Sequence, residues 1–203
     1  LGSEVDLGFV LIGAGAAALV TWINVLGIRT AAVLQTVVTS VIVGSGLLLI
    51  SGAVVFGDIE NAKPFLATPA TGIVTVLIMV PALLVGFDVI PQSAEEIDLP
   101  PNKIGRLLVF SVACAVAWYV LIAFAVGLGL TAEQQATSTM ATADAAAALW
   151  QQPWAGALLV LGGIGGIMTS WNAFVVGGSR VLYALAESNH VPKIFGRLHP
   201  KYK

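Results

Sequence analysis

Few residues in this chain have chemistry to offer, and they cluster oddly. In VGFDVIPQSAEEI, Val85 to Ile97, an aspartate interrupts an apolar run, with Gly86 two positions before it, Pro91 three after it and Pro81 further back. A carboxylate near the middle of a bilayer costs about 2.5–3.5 kcal/mol to insert, and such a cost marks a water-filled path or a binding site. The bland alternative places Asp88 near enough to one membrane face to be hydrated, as the following AEEID must be. Pro81 and Pro91 each remove a backbone donor, and Gly86 leaves helical geometry at little steric cost. The helix can therefore open between them. Opened backbone at membrane depth exposes carbonyls and N–H groups that bind charged solutes. On this reading LLVG ends one half-helix with free carbonyls, and Phe87 and Asp88 begin the next. Pro91 then falls in a first turn, where its missing donor does no harm.

Other chemistries find little support. An intramembrane enzyme needs a nucleophile with a base, a pair of acids or a metal cluster, and Asp88 has no such companion within a span. His190 and His199 stand nine residues apart in a basic tail without the cysteines or carboxylates of a zinc site. A channel calls for a ring-forming filter or charges repeated along one face. Channel and intramembrane enzyme remain the alternative classes. Asn24, Gln35 and Asn172 read as interhelical hydrogen bonders, with Asn172 notable for its closeness to Thr169. Gly162 and Gly166, beside Gly163 and Gly165, permit close helix approach. Glu95, Glu96, Asp98, Lys103 and Arg106 read as a solvated loop, and Cys114 as a small packed or lipid-facing residue.

The elements that position these residues follow from composition. The 203 residues are 58% hydrophobic and 10% charged, with mean hydropathy +0.94: a membrane protein of class all-α. A net charge of −2 gives no basic surface for nucleic acid. A spanning helix takes about 20 apolar residues, and five stretches qualify: 7–26, 31–56, 69–90, 104–130 and 155–176, the last continuing in helical spacing to about residue 186. Lysine and arginine in short loops stay cytoplasmic. Placing the N-terminus outside and the C-terminus in the cytoplasm puts eight of nine basic residues on one face, with Lys63 on the other. The outer segment 131–154 is expected to carry a short surface helix, with Trp150 and Trp154 at the headgroups. The chain opens on Leu1 and closes on HPKYK, so it reads as one part, 1–203, of a longer chain.

Three stretches carry a resemblance. GFDVIPQSAEEIDLPPNKIG resembles the sixth helix and following loop of amino acid permeases of the amino acid–polyamine–organocation superfamily. TSWNAFVVGGSRVLYALAESNHVPKIFGRLHPKYK resembles their eighth helix and its exit, and NVLGIRTAAVLQTV their junction of helices four and five. The resemblance implies a LeuT-type inverted-repeat carrier in the cytoplasmic membrane. This chain would supply helices four to eight, and helices 1–3 and 9–12 would complete it. It implies an amino acid substrate met by Val85, Gly86, Phe87 and Asp88, with Phe87 or a neighbour packing on the solute and Asp88 lining its path. No cofactor is implied beyond a coupling ion, Na+ or H+. Thr169 and Ser170 fall where hydroxyls hold sodium in the LeuT-type site. Ile42 stands where some relatives place a lysine, which puts proton coupling through that position in doubt.

Overall fold

The computed structural model describes residues 6–26, 28–64, 69–84, 86–87, 89–92 and 99–197. They form helices and short 3-10 turns, with no strand among the described residues. The chain is an all-α helix bundle.

Helix α1, Leu7–Val25, starts where Asp6 accepts the Gly8 N–H at 2.7 Å, an N-cap that satisfies one of the donors a helix start leaves free. Helix α2, Ile28–Phe56, ends as the Gly57 N–H bonds back to the Ala53 carbonyl. Two further helices, α3 (Pro69–Leu83) and α4 (Val89–Gln92), share the third apolar stretch. Helix α5, Pro101–Gly129, opens with proline at its first position, where no donor is needed. Helix α6, Ala132–Thr137, opens on a reciprocal capping box of Thr131 and Gln134. Helix α7, Ala141–Trp150, stops where Gln151 adopts φ 52°. Helix α8, Pro153–Glu187, runs on for 35 residues, about 52 Å. That length exceeds what an upright crossing of a hydrocarbon core of about 30 Å needs.

Four of these helices, α1, α2, α5 and α8, are long and apolar enough to cross a membrane. Their outward faces are greasy: Phe9, Ile12, Val54, Val109 and Phe110 are each exposed. Such a surface needs lipid or further helices around it.

The core lies at one end of the bundle. Leu49 and Ala53 of α2, Ala125 and Val126 of α5 with Leu130 just past its end, Ala143, Ala145, Ala146 and Leu149 of α7, and Ala155 and Leu159 of α8 form it. Lipid tails are as apolar as leucine, so helices associate in a bilayer through close packing rather than through a hydrophobic drive. The many alanines serve that closeness. Segment 131–154 is therefore more than a surface helix: one face of α7 is buried as a cap over the ends of α2, α5 and α8. Trp150 belongs to this cap. Its indole N–H donates to the Leu48 carbonyl at 3.1 Å, its ring meets Phe56 edge-on with centroids 5.5 Å apart, and a Cβ on Gly52 would stand 2.6 Å from Nε1. Trp154 remains half exposed.

The seam between α2 and α8 is built on glycine, but not on the spacing the sequence suggests. A Cβ on Gly162 would overlap Ser45, and one on Gly165 would stand 2.7 Å from Val38, whereas Gly163 and Gly166 face open space. The close approach thus uses Gly162 and Gly165. Helical periodicity decides this, since positions 162, 165 and 172 share the buried stripe with Ala155 and Leu159.

Candidate substrate and ion site

The third apolar stretch is interrupted. Pro81 is accommodated inside α3, though its missing N–H leaves the Leu77 carbonyl without the usual donor. The last regular bond runs from the Leu84 N–H to the Val80 carbonyl at 3.1 Å. The chain then turns: Gly86 takes φ +107°, a left-handed value that side chains with a Cβ rarely adopt. Nothing lies within 4 Å of a Cβ built there. The glycine is needed for its backbone, not for room. Bonds of the tight i to i+3 kind follow, from Val89 N–H to Gly86 O and from Ile90 N–H to Phe87 O, each 3.2 Å. They lead into the single turn of α4, with Pro91 third in it. Phe87 projects outward, 49% exposed. Val85 and Asp88, the other two sequence-predicted substrate residues, lie outside the described residues.

Two neighbours hold the break. Tyr119 of α5 donates its hydroxyl to the Leu83 carbonyl at 3.1 Å, so one carbonyl freed by the end of α3 is occupied. Beyond the turn, α4 rests on α8 beside a groove of about 360 Å³ that is lined by Val89, Phe174, Gly177, Gly178 and Val181 among others. The structure therefore brings α4 to α8 about one turn beyond Ser170.

Thr169 and Ser170 both donate to the carbonyl of Gly166, each at 2.9 Å. Those bonds use the hydroxyl protons and leave oxygen lone pairs on both residues. Thr169 is half-buried and Ser170 exposed. Ile42, at the place of the lysine that some relatives of the resemblance carry, packs by Cγ1 3.7 Å from a Cβ on Gly165. One turn further along α8, Asn172 is buried at 5% exposure. Its Nδ2 donates to Gln35 Oε1 at 3.0 Å and its Oδ1 accepts from Asn24 Nδ2 at 2.8 Å. Three amides thus join α1, α2 and α8.

A bundle of long apolar helices with one apolar stretch broken at a glycine narrows the families to compare. The family model described as amino acid permease matches residues 5–203. The chain belongs to that family. It is similar to the branched-chain amino acid permease BcaP of Bacillus subtilis, 23% identical over 184 residues that cover 91% of this chain and 39% of the relative. An uncharacterized amino acid permease of the same organism, YecA, is 27% identical over 179 residues, 87% of this chain and 41% of its own. The vacuolar cationic amino acid transporter 8 of Arabidopsis thaliana is 31% identical over 144 residues, 70% of this chain and 24% of its own. This permease chain spans about two fifths of the length of the two bacterial relatives. No solved structure matches it.

Sequence reasoning about this permease missed Tyr119. A hydroxyl within an apolar crossing was the available signal, because a phenol in lipid seeks an acceptor. Which acceptor it finds depends on how α5 sits against α3, and no spacing along the chain reveals that.

Proposed function

We propose that the chain is part of a secondary-active carrier that moves amino acids across the cytoplasmic membrane by alternating access, the break in its third crossing forming part of the substrate site. The observation that carries this is the turn at Gly86 between α3 and α4. Opened backbone in a crossing is tolerated where it borders protein or water, and an α-amino acid brings the groups that such a turn recognises. Carbonyls at the end of α3 accept N–H from the substrate ammonium, a group common to all amino acids. That agrees with relatives whose names carry substrates as different as branched-chain and cationic ones. Phe87 packs on the solute, and Val85 and Asp88 complete the lining.

Thr169 and Ser170 are the candidates for holding a coupling sodium ion, with further ligands from helices outside this chain. Helices 1–3 and 9–12 complete the carrier. The charge distribution supports an N-terminus of this chain outside and a C-terminus in the cytoplasm.

The test is uptake of radiolabelled amino acids by the full-length carrier in proteoliposomes. Saturable uptake that is driven by an imposed sodium or proton gradient is the expected result. Non-saturating flux would instead indicate a channel, and hydrolytic turnover without net movement an enzyme.

A further inference from the structure

Helix α3 is the most weakly supported of the apolar helices. Ile73, Val74, Val76, Leu77, Ile78 and Met79 are all exposed, and no described helix packs extensively along it. Its last residue is nevertheless tied down. The Tyr119 hydroxyl of α5 reaches the Leu83 carbonyl, one of the four that every helix C-terminus leaves without an intrahelical donor. The contact spans 36 residues of sequence and lies directly before the turn at Gly86.

We propose that Tyr119 is a positioning residue for the broken crossing: its hydroxyl tethers the end of α3 to α5 and thereby fixes where the carbonyls left free at the end of that helix stand before the turn at Gly86. The proposal rests on the reading of that turn as part of the substrate site. The turn needs an anchor on the α3 side, because glycine gives up more conformational freedom on ordering than any other residue and the bonds from Val89 N–H to Gly86 O and from Ile90 N–H to Phe87 O tie the turn to α4. A carbonyl carries two acceptor lone pairs. The phenol uses one and leaves the other for a solute N–H, so the tether and the substrate do not compete.

The experiment uses the full-length carrier with its native cysteines replaced, Cys114→Ser among them, and compares Tyr119→Phe with the parent. Phenylalanine keeps the ring and removes only the hydroxyl. Two quantities are read: the reaction rate of a Leu84→Cys thiol with a small water-soluble maleimide, and, without the added cysteine, the KM and maximal rate of uptake. Interhelical side-chain bonds in bilayers correspond to about a threefold change on average and about eighteenfold at most. Tyr119→Phe is expected to raise the thiol reaction rate and KM within that range, with the maximal rate changed less than about twofold. An unchanged thiol rate overturns the tether. A raised thiol rate with unchanged KM, or a lower maximal rate at unchanged KM, overturns its role in substrate positioning. If the parent moves no amino acid, the functional reading fails, and the thiol rate still decides whether Tyr119 holds the break.

Discussion

Thr169 and Ser170 illustrate how a side chain can be satisfied and still be available. Both hydroxyl protons go to the Gly166 carbonyl, the ordinary arrangement for such residues inside a membrane helix, yet each oxygen retains acceptor capacity that a cation could use. Ile42, nearby on the seam, brings no charge of its own, so an ion held here would have to come from solution. In the full-length carrier, Thr169→Val with Ser170→Ala is expected to abolish sodium stimulation of uptake, or to raise the sodium concentration for half stimulation at least tenfold. Polar bonds to a charged group are worth about 1.5–3 kcal/mol, and that range corresponds to a tenfold effect or more. Sodium dependence equal to the parent's, measured as uptake against ion concentration, would remove the pair from the ion site. Residue-scale legibility was uneven. Gly86 could be singled out because glycine between two prolines has a backbone consequence that needs no neighbours, and the chain does turn there with φ +107°. Tyr119 could not, since its importance lies in a contact with Leu83.

At the scale of elements, α2 and α8 meet along a surface that offers little to define their relative rotation. Gly162 and Gly165 present backbone to Ser45 and Val38, and the Ser45 hydroxyl bonds within its own helix to Ile42. Smooth surfaces pack closely but can slide. The chain of amides from Asn24 through Asn172 to Gln35 supplies the missing register, as a buried polar residue does in coiled coils. Asn172→Leu is expected to destabilise the folded carrier by about 1–3 kcal/mol, because each interhelical bond in a bilayer contributes about 0.6 kcal/mol and amides left without partners add to the loss. Gln35→Leu added to it should cost little more, whereas Gln35→Leu alone should be measurably destabilising. Thermal unfolding of the four proteins in detergent forms the cycle, and strictly additive losses would show that the two amides do not act together. The sequence marked all three as interhelical bonders, since a primary amide in lipid needs a partner. It did not show which glycines make the seam, because small residues at 162, 163, 165 and 166 offer contact on several faces, and the facing helix selects one.

At the scale of the molecule, bilayer thickness sets a length that five apolar stretches meet in the sequence; four of them form helices long and apolar enough to cross a membrane, and the third is divided between α3 and α4. The shape of the third was readable in outline from its prolines and glycine. How the crossings gather was not, since packing in lipid depends on matched surfaces rather than on hydrophobicity: the cap formed by α7 was expected to lie on the surface, and its alanines are indistinguishable in sequence from those of any good helix former. The assembled bundle sorts its charged segments by end. The turn that bears Lys63 is pinned to the end of α5 through Asn61 Nδ2 and the Leu128 carbonyl at 3.1 Å, the end that also carries α6 and α7. Lys103 and Arg106 lie in the opposite end of α5, and the Lys193–Gly196 turn packs on the end of α8, where Gly196 meets Ala186. Since basic residues are retained in the cytoplasm, a membrane-impermeant maleimide applied to intact cells should label Glu133→Cys and leave Asn102→Cys unlabelled until the cells are opened, each cysteine being placed singly in the cysteine-free full-length carrier. Both positions are exposed in the structure, so access across the membrane and not burial governs the result. Labelling of Asn102→Cys in intact cells with protection of Glu133→Cys would invert the topology, and with it the side from which the break at Gly86 is approached.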